Sequence, residues 1–268
     1  MKIDRKQAVK TFREYVSGYN AEDEKVRLKI EHTYRVAELC EKIALWLKLP
    51  EEEADLAWLI GMLHDIGRFE QLKNYGTFND ALSIDHAECG AEILFVQGKI
   101  RDYAPEDTED ELIRTAVAGH SAYRIPEGLT DRTQRFCHII RDADKIDILK
   151  VNVEFPLEEI YNVSSEELRG GQVTAAVMES FEEEHAVLRS LKKTAVDNVV
   201  GHISLVFELV FPVSLELAAS QGYLEELMHF RSENPVTQQQ FERIREKMRE
   251  YMERKRIKVW RSGTKEND

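Results

Sequence analysis

Ala57-Trp58-Leu59-Ile60-Gly61-Met62-Leu63-His64-Asp65-Ile66-Gly67-Arg68 is an apolar run that ends in an imidazole, a carboxylate and, past a glycine, a guanidinium. A run this apolar reads as a heavily buried helix. An imidazole and a carboxylate side by side at its C-terminal edge is a costly arrangement, because a buried carboxylate must be paired or metal-bound. A divalent metal offsets that cost by taking the neutral imidazole and the ionised carboxylate together. Read alone, the pair is equally a helix end that carries two polar residues, with Gly67 as its C-terminal stop.

Outward from this run the chain reads as helix after helix. Val36, Leu39, Cys40, Ile43 and Leu47 recur at helical spacing until Pro50 interrupts them. Asp85-His86-Ala87-Glu88 has the form of an N-cap with an acidic residue at N3, and predicts a helix through Phe95. Leu112, Ile113, Ala116 and Val117 form a stripe that carries His120 at its C-terminal end, and Phe136, Ile139, Ile140, Ala143 and Ile146 do the same around Asp144. Loops rich in turn formers separate them: Lys73 to Asp80, Gly98 to Asp107 and Tyr123 to Asp131. After Asp147 the pattern loosens, with Val151-Asn152-Val153 too brief to claim a sheet. It resumes in helices expected from roughly Val173 to Thr194, Asp197 to Ala219 and Gln238 to Lys255. The expected fold is all-α: a single domain over residues 1–268 with a motif-bearing core at about 25–150 and a helical extension at about 151–260 packed on it.

Further polar residues stand at the ends of these segments. His32 lies upstream in Ile30-Glu31-His32-Thr33, His86 follows Asp85, His120 follows Gly119, and Arg141-Asp142-Ala143-Asp144-Lys145-Ile146-Asp147 comes last. The order His, His-Asp, His, His, Asp, each on its own helical segment, resembles the HD-domain superfamily of metal-dependent phosphohydrolases. The resemblance covers roughly the first 150 residues, and the joint occurrence of short motifs in this order makes it specific.

The resemblance implies a set of roles. His32, His64, Asp65 and Asp144 would hold a first ion, with Asp65 bridging and orienting a hydroxide, and His86 and His120 would complete a second. The family's closing motif has an Ala-Asp-hydrophilic-apolar form, met here by Ala143-Asp144-Lys145-Ile146, which selects Asp144 over Asp142. Asp147 shares a helix face with Asp144 and is a candidate to orient a ligand. Four imidazoles and two carboxylates exceed the needs of one structural metal and suit two divalent ions ~3.5–4 Å apart. Mixed nitrogen and oxygen ligation favours iron, manganese, nickel, cobalt or zinc over calcium or magnesium, one to two ions in all. Such a centre hydrolyses phosphoesters or phosphoanhydrides without a serine or cysteine nucleophile, and the chain has no nucleophile elbow or Gly-rich phosphate loop.

For the substrate, Arg68 is the first candidate to grip a phosphate, because guanidinium matches phosphate bidentately; the alternative is an ion pair with Glu70 or Glu88. Arg124 and Lys145 are further candidates, and Tyr75 and Tyr123 are aromatic residues placed to stack a base or simply to pack. Gly119-His120 in place of a paired histidine, and a Tyr123-to-Gly128 loop unlike Gly-Tyr-Pro, argue against the cyclic-dinucleotide branch of the family. The guanosine-tetraphosphate and dNTP triphosphohydrolase branches have no obvious match to His86. The expected substrate is a nucleotide or similar small phosphorylated molecule. An HD-fold diiron oxygenase and a non-catalytic metal- or nucleotide-binding regulatory module are the alternatives.

Composition narrows the partners. A formal net charge of −13 argues against nonspecific binding to nucleic acid or anionic membrane. The most apolar stretch, Ile203 to Val213, is too short to span a bilayer and carries Glu208 and Pro212. The N-terminus lacks a hydrophobic signal core, and three cysteines cannot all pair, so a reducing cytoplasm is expected. Cys40 and Cys137 fall on apolar stripes as core residues, and Cys89, three residues after His86, reads as helix packing. His138, His185, His202 and His229 are expected to be surface or internally satisfied histidines.

Overall fold

A computed structural model describes residues Met1–Gly263, and among the described residues the chain is all-α. It divides into two compact units, Met1–Asp147 and Ile148–Asp268.

In the first unit, α1 spans Arg5–Val16, α2 Glu24–Trp46 and α3 Glu51–Leu63, followed by α4 Ile66–Tyr75, α5 His86–Ala91 and α6 Asp110–Gly119. α7, Asp131–Glu154, belongs to it as far as Asp147 and to the second unit from Ile148. Local chemistry sets the starts. The side chains of Asp4, Asp23 and Asp85 accept backbone N–H groups at the first turns of α1, α2 and α5. α3 follows Pro50, which fixes an extended entry and leaves three glutamates to face the positive end of the helix dipole. Past α5 the backbone widens into a π turn over Glu92–Val96, so the expected single helix through Phe95 is in fact two helical forms in series.

α2 and α3 pack side by side, and Gly61 makes this possible: a Cβ there would stand 2.6 Å from the Ala37 Cα. Ala37 and Cys40 of α2 lie against Gly61, and Val36, Ala37, Cys40 and Ile43 of α2 and Leu59, Ile60, Met62 and Leu63 of α3 are all buried. Nearly every residue of α3 from Ala54 to Leu63 is inaccessible, as its apolar sequence predicts. Cys40 and Cys137 are buried within the unit. A ring cluster of Phe12, Tyr15, Tyr19 and Phe69 ties α1 to α4, and the Tyr15 hydroxyl donates to the Ile66 carbonyl at 3.1 Å, next in sequence to Asp65.

In the second unit, α8 Leu157–Tyr161, α9 Ser165–Gly170, α10 Ala175–Glu182, α11 Ala195–Ser204, α12 Pro212–Ser220, α13 Tyr223–Met228 and α14 Pro235–Gly263 follow. The helices expected here are broken more often than their hydropathy suggests. The helix expected to Thr194 stops at Glu182, where the chain turns through Glu184 at φ 64°. The next is interrupted after Ser204, where α11 tightens into a 3₁₀ turn over Leu205–Glu208 and the chain extends at Leu209, before Pro212 opens α12. Val151, Asn152 and Val153 belong to α7, where Asn152 Nδ2 donates to the Ile148 carbonyl at 2.8 Å. The buried Asp197 accepts the backbone N–H groups of Thr174, Lys193 and Thr194 at 2.9, 2.8 and 3.0 Å. His202 is satisfied by the Tyr161 hydroxyl at 2.8 Å, and His229 by the Glu225 carbonyl at 2.7 Å.

Candidate metal centre

Five helices of the first unit deliver the six residues. His32 lies within α2, His64 directly follows α3, and His86 is the first residue of α5. His120 directly follows α6, and Asp144 lies within α7. Asp65 is the joint between α3 and α4: at φ −104° and ψ 16° it leaves helical geometry for one residue, and its carbonyl then accepts the Arg68 N–H at 2.9 Å to start α4. Gly67 therefore sits in the first turn of α4 and stops no helix. Its role is proximity, since a Cβ there would lie 2.2 Å from the His86 carbonyl oxygen and 2.6 Å from the Gly90 nitrogen.

The two oxygens of Asp65 face different imidazoles. Oδ2 lies 3.5 Å from both His32 Nε2 and His64 Nε2. Oδ1 lies 3.4 Å from His86 Nε2 and 3.6 Å from His120 Nε2. Asp144 Oδ1 joins the first set, 3.2 Å from His32 Nε2 and 3.8 Å from His64 Nε2. The Nε2 atoms within each set nearly touch, at 3.3 Å for His32 and His64 and 3.1 Å for His86 and His120. Asp65 is as buried as the imidazoles, at 2% exposure, and Asp144, at 14%, is the most exposed of the six.

Each imidazole is held through its other nitrogen. His64 Nδ1 donates to the Gly61 carbonyl and His120 Nδ1 to the Val117 carbonyl, both at 2.7 Å. His32 Nδ1 meets Asp147 Oδ2 at 2.6 Å, and His86 Nδ1 meets Asp80 Oδ2 at 2.9 Å. A carbonyl only accepts, so the proton of His64 and of His120 is on Nδ1 and the lone pair is on Nε2. Two carboxylates impose the same tautomer on the other pair. Four Nε2 lone pairs thus converge on one carboxylate, which is repulsive unless a cation or proton lies between them. This donor set fits a divalent metal.

The electrostatics agree. Burial drives the His64 pKa down to about 3, against the pull of Asp65, and the His86 pKa to about 4 with help from the Arg68 charge. Both are then neutral ligands without any deprotonation. Burial and Lys29 oppose a charged His32, but hydrogen bonds to Asp144 and Asp147 outweigh them and raise its pKa. Burial also works against an ionised Asp65, yet Lys29 and then His64 hold its carboxyl well below the usual range. Asp144 is likewise lowered, against burial, by its bond to His32.

The remaining predicted residues divide. Asp142 is fully buried and outside the three-residue ligand groups, whereas Asp144 falls within one. Asp147 orients His32 and is itself clamped by Arg35 at 2.7 and 2.9 Å. Arg68 lies beside the centre, and its ion-pair partner is Asp80 at 2.8 Å rather than Glu70 or Glu88; its Nη1 also donates to Gln71 and to the Phe78 carbonyl. Its Nε stands 3.5 Å from Asp65 Oδ1. Arg124 is exposed against the Tyr123 ring, and Lys145 is half-buried, its charge helping to lower the His138 pKa after burial and Arg141. Tyr75 and Tyr123 are exposed at 51% and 48%.

Three participants escaped the sequence reading. Lys29 places its Nζ 2.6 Å from Asp65 Oδ2, Asp80 holds both His86 and Arg68, and Arg141 donates to the carbonyls of Gly119, His120, Ala122 and Tyr123, fixing the end of α6. Lys29 was detectable as the cation one helical turn before His32. Asp80 lies at the end of a turn-rich loop and carries no periodic signal.

No curated protein and no solved structure matches the chain. A protein-family comparison matches residues 30–149 to the HD domain, an interval that contains all six converging residues. HD domains are generally metal-dependent hydrolases that bind divalent ions. This match, over the segment in which the histidines and aspartates gather, supports membership of the HD-domain superfamily.

Proposed function

We propose that this protein is a phosphohydrolase that cleaves a phosphoester or phosphoanhydride bond of a nucleotide or similar small phosphorylated substrate. The observation that carries the reading is the division of Asp65, with one oxygen on the His32, His64 and Asp144 side and the other on the His86 and His120 side. A carboxylate so placed suits two ions rather than one. His32, His64, Asp65 and Asp144 would hold the first, and His86 and His120, with Asp65, the second. Bound divalent ions supply acidity to a water and neutralise charge that develops on phosphoryl oxygens.

The chain's own residues set the conditions for that chemistry. Asp147, Asp80 and the Gly61 and Val117 carbonyls engage Nδ1 of all four imidazoles and leave Nε2 towards the centre. His64 and His86, with lowered pKa values, need lose no proton on loading, whereas His32, with a raised one, would release a proton to an incoming ion. Asp65 fixes the position shared by both sets. Burial of the histidines excludes bulk water from their side of the centre, while Asp144, Lys29 and Arg68 keep slight exposure, at 14%, 13% and 12%, and are the members that an entering substrate would meet first.

Purified protein reconstituted anaerobically with Mn²⁺, Fe²⁺, Co²⁺, Ni²⁺ or Zn²⁺, then screened against nucleotides and phosphoesters, tests the reading. Phosphate release that Asp65→Ala abolishes supports it. Metal-loaded protein that releases no phosphate but, with iron bound, gives a diiron signal that responds to dioxygen in the presence of an organic substrate would replace it with oxygenase chemistry.

A further inference from the structure

Lys29 is the one ammonium among the described residues in contact with the bridging carboxylate, and its position is unusual. It lies on α2 one turn before His32, its side chain is 13% exposed, and its Nζ is 2.6 Å from Asp65 Oδ2. That oxygen is the one turned towards the first ligand set. The Phe78 ring covers the ammonium from the loop after α4, with 5.4 Å between Nζ and the ring centroid, and the same ring lies 6.0 Å from the Arg68 guanidinium. The loop is not free to move aside, because Arg68 and Gln71 bind its Phe78 carbonyl and its Asp80, Ser83 and Ile84 oxygens.

Charge balance gives this ammonium a second use. With Asp65 Oδ2 coordinated to an ion, Lys29 would lose its counter-charge while two dications and only two ligating carboxylates surround it. A buried ammonium without an anion is strongly unfavourable. Only an anion that enters the open side of the centre relieves both the ammonium and the excess metal charge, and a phosphoryl group brings that charge together with acceptors for an N–H donor.

We infer that Lys29 is a substrate-binding residue that passes from Asp65 to the phosphoryl oxygens of the substrate when the centre is loaded, with Phe78 as the wall that keeps its Nζ at the centre. The inference rests on the phosphohydrolase reading above. It differs from a role in building the site, because a residue that holds Asp65 in place would be needed for metal binding, whereas one that competes for Asp65 Oδ2 would not.

The test uses the full-length protein, Mn²⁺ titrated calorimetrically, and inorganic phosphate titrated into the Mn²⁺-loaded form. Lys29→Met should bind Mn²⁺ at least as tightly as wild type, while its affinity for phosphate falls about 10- to 150-fold, the loss of one charge-assisted hydrogen bond. Lys29→Gln, which keeps a polar contact to Asp65 without the charge, should show the same loss and decides the matter if the methionine variant does not fold. Phosphate affinity equal to wild type in either folded variant overturns the inference, as does loss of Mn²⁺ binding. Wild-type protein that holds Mn²⁺ and binds no phosphate overturns the phosphohydrolase reading as well, and so separates the two failures.

Discussion

Gly67→Ala tests the geometry of the centre without touching a ligand. The added Cβ would stand 2.2 Å from the His86 carbonyl oxygen, 2.6 Å from the Gly90 nitrogen and 3.2 Å from the Cys89 carbonyl carbon, where ordinary contact begins at 3.4 Å. All three are backbone atoms, so no side chain can rotate away, and α4 and α5 must part by about 1 Å in a close-packed interior. Overpacking of this kind costs about 1–3 kcal/mol, which corresponds to a fall in melting temperature of roughly 2–12 °C for a protein of this size. The displaced backbone belongs to His86 itself, so His86 Nε2 moves away from Asp65 Oδ1, now 3.4 Å distant. Thermal melting and calorimetric Mn²⁺ titration read the two effects separately. We expect a lower melting temperature together with selective weakening of the second ion. Gly90→Ala is the internal control: on the other side of the same crossing its Cβ would meet the Ile66 Cγ2 at 3.3 Å and the Gly67 nitrogen at 3.4 Å, a contact that small adjustments relieve. A Gly67→Ala protein that melts with wild type and binds both ions with wild-type affinity would refute the claim that Gly67 sets the distance between Asp65 and His86.

Removal of Asp65 should cost both ions, because its oxygens divide between the two sets, whereas His86→Ala should leave about one ion bound while hydrolysis collapses; elemental analysis of the reconstituted variants checks this. Asp80→Asn weakens the acceptor that orients His86 and should lower affinity for the second ion about 10- to 100-fold with the first unchanged, and Asp147→Asn should do the reverse through His32, both read by Mn²⁺ titration. Metal-free protein should lose stability as pH falls below about 6.5, because the pKa values of His64 and His86 rest at about 3 and 4 in the folded chain and return to their ordinary value on unfolding. The unfolded state then binds more protons across that window. The opposite contribution of His32, whose pKa is raised, is already complete below 6.5 and does not cancel the trend. Urea unfolding of chelated protein at pH 7 and pH 5 that gives equal stabilities would contradict the assignment of neutral buried imidazoles.

The helices were readable in the linear chain because they depend on local signals, and the six converging residues through the resemblance that their order along the chain carries. Apolar spacing marks each buried helix face, and an imidazole or carboxylate at the end of an apolar stripe marks a polar group drawn inwards at a cost that needs a partner. The choice of Asp144 over Asp142 came from the match of Ala143-Asp144-Lys145-Ile146 to the closing motif of the family the chain resembles; Asp144 lies with His32 and His64 in a group close enough to share an ion, and Asp142 is fully buried outside such groups. Helix ends in the second unit were less legible: a left-handed Glu184 has no distinctive residue type, and Pro212 lies inside a stretch whose hydropathy is continuous.

What the linear chain could not specify was every relation that depends on distance between helices remote in sequence. Gly67 after a histidine and an aspartate looks like a helix stop, and it is a spacer only because α5 crosses above it. Arg68 looks like a cation free to pair with its nearest glutamates, yet the loop after α4 folds back and presents Asp80 instead. Lys29 is one of many surface-like lysines until α2 and the α3–α4 joint meet and bring its Nζ to Asp65 Oδ2. Residue type and spacing encode the tendency of a group to be buried and its capacity to ligate. Which carboxylate lies at 2.6 Å from which ammonium is fixed by the packing of helix against helix, and there a shift of one ångström changes the partner.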